Sequence, residues 1–356
     1  MTDSNLDDLR ERIRQLDSEI VERAAERMEL ARQVGAAKRR QKRSTVDYAH
    51  EKVVLERVKS EAKERGLDPQ VAERLFAGLI YASVSAQDED NLRFAGVGAG
   101  KDAVVVGGAG RMGRWIRRFL SAQGYVTCAL DPAAEPDENT RALDILPSAE
   151  LIVCSTPPAA TAELYAKWSH KPPSGIVFDV ASIKTPLIDP IRMLQQAGGR
   201  VASIHPMFGP SAVLLRDADV VICDTGDEEA TAIVEKLFQP TTAHLVRLPL
   251  DEHDRIMADL LSLAHATAIA FALALPETEH PVRSTTFQAL ESLAAAVVRE
   301  SPEVYYEIQT GNPHSLDALE RLRVALDRIV TAVKSRDSKG FQSLFDEGIR
   351  RTPKAK

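Results

Sequence analysis

The sequence predicts three folded parts in series: an all-α N-terminal domain, an α/β doubly wound sheet, and an all-α C-terminal domain. Three observations carry this reading. Apolar residues recur at helical spacing over residues 1–92. Short apolar strands then alternate with helices from Ala103 to Phe238, and from Asp251 onward the pattern is helical again. A chain of 356 residues has room for two or three separate cores.

The first helix is expected from Leu6 to about Arg40 on the stripe Leu6, Leu9, Ile13, Leu16, Ile20, Ala24, Met28 and Ala31, uninterrupted until Gly35. A break at Ser44-Thr45-Val46-Asp47 leads to a second helix reaching about Arg65. Gly66-Leu67-Asp68-Pro69 ends it and starts a third, with Asp68 as N-cap and Pro69 at the first helical position, running to about Asp90. So long a first helix cannot bury its stripe in a three-helix monomer, so a partner chain is expected to complete the core. The Gly-rich stretch 93–101 reads as a linker.

Residues 102–248 form the second domain. Strands are expected at Ala103–Val106, Val126–Leu130, Leu151–Cys154, Ile176–Asp179, Val201–Ile204 and Val220–Cys223, with helices at 111–122, 159–167, 186–196 and 228–238. Continuous apolar strands between helices point to a buried, mostly parallel sheet. Residues 249–356 make the third domain, with helices at 251–275, 284–299 and 315–333.

A formal net charge of −7 argues against nucleic acid as a partner, and small-molecule substrates remain. The run Lys38-Arg39-Arg40-Gln41-Lys42-Arg43 reads as a solvated face or linker. Cys128, Cys154 and Cys223 lie in separate apolar runs, which suggests buried free thiols and no disulfide or metal site. The acidic N-terminus is unlike a signal peptide, and no run approaches about 18 uninterrupted apolar residues, so no membrane span is expected and the cytoplasm is the default location.

Gly108-Ala109-Gly110-Arg111-Met112-Gly113 follows an apolar strand and opens a helix, and Asp131 stands at the next strand end. That context marks a Rossmann-type dinucleotide site, in which glycines let the backbone approach a pyrophosphate at a helix N-terminus. Asp131 would accept both ribose hydroxyls and repel a 2′-phosphate, so NAD is the expected cofactor. The cofactor-binding set is Gly108, Gly110, Arg111, Met112, Gly113, Asp131 and Ser155. Asp179-Val180-Ala181-Ser182-Ile183-Lys184 and Ser203-Ile204-His205-Pro206-Met207-Phe208-Gly209-Pro210 lie at carboxyl ends of strands, where open α/β sheets bind ligands. His205, read as part of a Pro-bounded turn, can take a hydroxyl proton while hydride leaves the same carbon. Ser182 can orient the imidazole or the substrate. His265 is a polar residue on an otherwise apolar helix.

With these motifs, and with Glu252-His253-Asp254 followed by His265, the chain resembles the bifunctional chorismate mutase–prephenate dehydrogenase family over almost its whole length. The resemblance implies that His205 contacts the ring 4-hydroxyl, that Ser182 supports it, that His265 helps bind the pyruvyl side chain, and that the C-terminal helices form a homodimer interface. The first part resembles all-helical chorismate mutases at Arg10, Arg27, Lys38, Asp47, Glu51, Ser83 and Gln87. Arg27 and Lys38 share a helix face, and Asp47/Glu51 and Ser83/Gln87 are i,i+4 pairs. The resemblance gives Arg10 and Arg27 the substrate carboxylates, Lys38 and Gln87 the ether oxygen, and Asp47 and Glu51 the C4 hydroxyl; Arg10 would serve a neighbouring subunit's site. Gln288, Ala296 and His50 stand where the family usually has arginines. Fewer cations would suit a 4-ammonium group, so the same two reactions on 4-amino-4-deoxy analogues are an alternative. A regulatory or assembly protein with a decayed catalytic half is a further one.

Overall fold

The computed structural model describes residues 3–41, 47–212, 215–277 and 282–352. The expected break at Ser44–Val46 and the end of the basic run, Lys42 and Arg43, lie outside the described residues. The chain divides into two compact units: Met1–Ser155 with Trp168–Val180 and Leu194–Arg247, and Thr156–Lys167 with Ala181–Met193 and Leu248–Lys356.

The first unit begins with three helices, α1 (Asp3–Arg40), α2 (Tyr48–Glu64) and α3 (Pro69–Ala95). Asp47 caps α2 by accepting the His50 amide, and Asp68 caps α3, which has Pro at its start. The third helix outruns the expected end near Asp90 and stops at Ala95, where Gly96 takes a left-handed φ of 50°. Residues of the expected linker are therefore partly helical. The rest is docked: Gly98 and Gly100 donate to the Gln123 and Gly124 carbonyls. A Cβ on Gly98 would lie 2.4 Å from the Tyr125 nitrogen, so only glycine permits this approach. The stripe Leu6, Leu9, Ile13, Leu16 and Ile20 on α1 stays between 43% and 56% exposed within the chain.

A seven-stranded sheet follows, built from β1 (Asp102–Val106), β2 (Val126–Leu130), β3 (Leu151–Cys154), β4 (Ile176–Asp179), β5 (Arg200–Pro206), β6 (Asp219–Asp224) and β7 (His244–Pro249), in the order β2-β1-β3-β4-β5-β6-β7. Strands β2, β1, β3, β4 and β5 are parallel neighbours, and β6 runs antiparallel to β5. Chain order reverses between β1 and β3, which opens the ligand crevice of such sheets at their carboxyl ends. Helices α4 (Arg111–Ala122), α5 (Pro136–Ile145), α6 (Pro158–Trp168), α7 (Ile188–Gln196) and α8 (Glu228–Phe238) alternate with the strands. Val105, Ile116, Leu120, Leu151, Val153, Phe178, Ile204, Ile222 and Phe238 form one core, which Leu92 of α3 joins. Cys128, Cys154 and Cys223 are buried free thiols. Neither α5 nor β7 was expected; β7 is an edge strand with mostly exposed residues and no continuous apolar run.

In the second unit α9 (His253–Met257) continues through a π-helical segment, Ala258–Leu263, into α10 (Ala264–Ala274). The π segment frees a carbonyl: Gln309 donates to Ser262 O at 2.9 Å, and the Ser262 and Ser315 hydroxyls bond at 2.6 Å. Then come α11 (Thr285–Val298), α12 (Pro302–Gly311), α13 (Ser315–Lys334) and α14 (Ser338–Arg351), of which α12 and α14 were unexpected. His253–Ala274 is long and apolar enough to cross a membrane by length and composition. Single polar residues interrupt every apolar run in it without lowering the average enough.

Candidate active sites

The glycine loop is shaped by close backbone approaches. Gly107 has a φ of 78°, and a Cβ on Gly113 would fall 2.1 Å from the Gly107 carbonyl oxygen. A Cβ on Gly108 would meet Ala129 of β2 at 2.7 Å. Gly110 precedes α4 without a side-chain cap hydrogen bond, the arrangement of a helix N-terminus that receives an anion. Asp131 accepts the Ala109 amide on Oδ2 at 3.1 Å and the Ala133 amide on Oδ1 at 2.9 Å, and each oxygen keeps acceptor capacity for a ribose hydroxyl. Its backbone is clamped on both sides by Asn139, a residue that sequence patterning did not single out. Ser155 sits at the β1/β3 reversal, its amide donating to Val106 O at 2.8 Å. Met112 packs on the core, and Arg111 lines a cavity of about 500 Å³ with Arg114, Arg117 and Arg118. A helix N-terminus without a side-chain cap, a glycine cradle and an acidic strand end fit NAD.

His205 lies on a strand, not in the turn that its flanking proline suggested. The last parallel pair of β4 and β5 is Asp179 with Ser203. Strand β5 then continues for Ile204, His205 and Pro206, held on one side by β6, with His205 opposite Val221. Pro206 lacks an N–H, yet the ladder survives because Met207 donates to Asp219 O at 2.9 Å. This overshoot carries His205, 4% exposed, past the edge of the parallel sheet. The following loop is pinned by α4: the Trp115 ring lies tilted against Phe208 with centroids 4.9 Å apart, and its indole N–H donates to Ala212 O at 2.8 Å.

In the second unit a buried carboxylate organises the segment after Ser182, which is itself half-buried. Asp254 accepts the Lys184 amide at 2.8 Å on Oδ1 and the Thr185 amide at 2.7 Å on Oδ2. His253 Nδ1 lies 2.7 Å from Oδ1, and Asn312 donates to the Asp254 carbonyl at 2.7 Å. Burial pushes the Asp254 pKa up, but the bonds from His253, Thr185 and Lys184 outweigh it and hold the carboxyl at about 2. The sequence contained this residue only as part of Glu252-His253-Asp254, with no role attached. His265 follows the π segment. Burial lowers its pKa, its Nδ1 has no hydrogen-bond partner among the described residues, and Tyr305 meets its ring edge-on at 4.6 Å. Gln288 and Ala296, which stand where arginines were expected, lie on α11, and the nearby Arg283 is paired with Glu291 at 3.2 Å.

The helical part brings three expected residues together across α1 and α3. Arg27 donates to Ser83 Oγ at 2.8 Å and to Leu79 O at 3.1 Å, and burial lowers its pKa. Gln87 donates to Ala31 O at 2.7 Å. Gly35 makes room for it, since a Cβ there would come within 2.7 Å of Gln87 Cγ. Lys38 is half-buried in the last turn of α1. Asp47 is engaged as the α2 cap, and Glu51 is held by Arg216, a residue that sequence reasoning missed. Arg10 is exposed and near Asp7. Seventeen residues along α1 place it about 25 Å from Arg27, too far to share one chain's site.

Residues 9–88 match the family chorismate mutase type II, residues 130–247 the nucleotide-binding domain of prephenate dehydrogenase, and residues 249–347 its dimerization domain. A T-protein from Enterobacter agglomerans is 26% identical over 344 residues, covering 95% of this chain and 90% of that protein. A 4-amino-4-deoxyprephenate dehydrogenase from Streptomyces pristinaespiralis is 29% identical over 265 residues, covering 68% of this chain and 88% of its own. Among solved structures, prephenate dehydrogenase from A. aeolicus, in complex with hydroxyphenyl propionate and NAD+, shares the fold at a TM-score of 0.55 and 18% identity, over 70% of this chain and 97% of that one.

Proposed function

This chain belongs to the family of bifunctional chorismate mutase–prephenate dehydrogenases, and from that premise we propose how its residues divide the two reactions. It isomerises chorismate to prephenate and, with NAD, oxidatively decarboxylates prephenate to 4-hydroxyphenylpyruvate, the tyrosine branch of aromatic biosynthesis. The alternative on 4-amino-4-deoxy substrates has no better support: the relative of that name aligns with 68% of the chain, the T-protein with 95%.

The mutase reaction is a pericyclic rearrangement and needs no acid, base or nucleophile. Its residues act by holding the compact diaxial conformer and by stabilising charge that grows on the ether oxygen. Arg27, with Arg10 of a second copy, clamps the two carboxylates; Lys38 and Gln87 donate to the ether oxygen; Glu51 and Asp47 face the C4 hydroxyl, and Ser83 orients Arg27. The exposed stripe on α1 and the apolar C-terminal helices fit a homodimer, and the same interface accounts for the apolar stretch His253–Ala274 without a membrane. Three buried free thiols suit a reducing compartment, the cytoplasm.

In the dehydrogenase half the α4 N-terminus and Asp131 hold NAD, with Gly108, Gly110, Arg111, Met112, Gly113 and Ser155 around it. When bound, NAD supplies the acceptor for the hydride that leaves substrate C4. His205 takes the 4-hydroxyl proton as the carbonyl forms, and Ser182 orients that pair. His265, kept neutral by burial, donates a hydrogen bond to the pyruvyl side chain. The observation that supports this reading best is the sheet itself, whose carboxyl edge carries the glycine loop, Asp131 and the β5 overshoot with His205.

His205→Asn should lower prephenate-dependent NAD reduction at least about a hundredfold. NAD affinity, followed by fluorescence titration, and chorismate turnover should both persist. Gln87→Ala should do the reverse. A near-wild-type rate for His205→Asn across the pH range would overturn the assignment.

A further inference from the structure

We propose that Arg216, carried by the nucleotide-binding domain, is a positioning and specificity residue of the mutase site, where it fixes Glu51 and selects a neutral C4 substituent. Arg216 donates from both terminal nitrogens to Glu51, at 3.2 Å to Oε1 and 2.6 Å to Oε2. The two side chains are only 13% and 16% exposed, so solvent screens the pair weakly. The guanidinium also lies 4.9 Å from the centre of the Tyr48 ring, and the Tyr48 hydroxyl donates to Asp217 at 2.9 Å. The first turn of α2 and the Leu215–Ala218 turn are thus interlocked. Asp217 is held at a φ of 60°, a conformation that costs an Asp little and fixes the direction of its neighbour.

The inference rests on the reading that Glu51 faces the substrate's C4 group. His50, its neighbour, stands where the family resemblance leads one to expect an arginine, and Arg216 provides a guanidinium at Glu51 from a distance of 165 residues in sequence. The consequence is electrostatic. A lone Glu51 carboxylate would attract a 4-ammonium group. A Glu51–Arg216 pair carries no net charge: the carboxylate still accepts from a hydroxyl, and the guanidinium repels a cation.

The test is the ratio of kcat/KM for chorismate to that for 4-amino-4-deoxychorismate, measured on the full-length dimer. Arg216→Gln should move the ratio at least about tenfold toward the amino substrate, in line with removing a cation a few ångströms away. Arg216→Lys should bring it most of the way back. Because both rates come from the same folded fraction, partial misfolding leaves the ratio unchanged. An unchanged ratio in Arg216→Gln, while Gln87→Ala abolishes turnover of both substrates, would overturn the role of Arg216 alone. If Gln87→Ala is also silent, the mutase-site reading itself fails.

Discussion

Asp254 shows how far a single side chain can reach. Its partners lie 70 and 69 residues away, at the amides of Lys184 and Thr185. No periodicity or spacing encodes such a contact. Asp131, in contrast, was legible, because a strand end after a glycine loop is a local pattern. His205 was legible as a residue at the carboxyl end of a strand but misread as lying in a turn, since the antiparallel partner that extends β5 is remote in sequence. The depressed pKa of Asp254 means that its stabilisation is present above the ordinary carboxylate range and is lost as pH falls toward about 2. Asp254→Asn should cost roughly 3 kcal/mol at pH 7, because an amide cannot satisfy both backbone donors and His253. Urea unfolding curves at pH 7 check this. Dehydrogenase kcat should fall as well, since the chain after Ser182 loses its anchor, while chorismate turnover should stay normal. An unchanged urea midpoint would show that the network is dispensable.

At the scale of elements, long periodic segments and buried parallel strands were readable because each presents one unbroken signal. Strand β7, whose residues are mostly exposed, and helices α12 and α14 gave weaker ones. The α1 stripe was legible as unpartnered, and it is still exposed in the folded chain. If a second copy covers it, a charge in its middle must be desolvated on association. Ile13→Glu should therefore weaken association of two copies through the helical part, seen by sedimentation velocity, and reduce chorismate turnover in step. Ile13 is 56% exposed in the single chain, so the substitution should leave α1 helical by circular dichroism. An unaltered assembly and an unaltered mutase rate would remove α1 from the interface.

For the molecule as a whole, the helical part and the sheet are joined by polar contacts as well as by the Leu92 core. The buried Asp88 of α3 accepts from Thr242 Oγ1 at 2.5 Å, and burial pushes its carboxyl up to about 6. The folded chain thus keeps a proton that the unfolded chain releases near 3.8, so this junction loses stability as pH rises from about 4 to about 6. Asp88→Asn removes that dependence. It should be more stable than the parent by roughly 2–3 kcal/mol at pH 7, at about 1.4 kcal/mol per pH unit, and closely matched to it below pH 4. Melting curves across pH 4–8 measure the gap, and a constant gap would show that Asp88 is ionised throughout.

The length of α1 has a genetic consequence. If Arg10 and Arg27, some 25 Å apart on one rod, both serve one mutase site as proposed, that site draws side chains from two polypeptides. A lesion at Arg10 and a lesion at Gln87 then damage different contributors to the same site. Co-expressed in one cell, the two defective alleles form mixed pairs in which one of the two sites draws all its residues from undamaged positions. About a quarter of the sites recover when pairing is random and the symmetry is two-fold. Growth would return from two alleles that each fail alone, and a complementation screen would sort the residues of one catalytic centre into two groups.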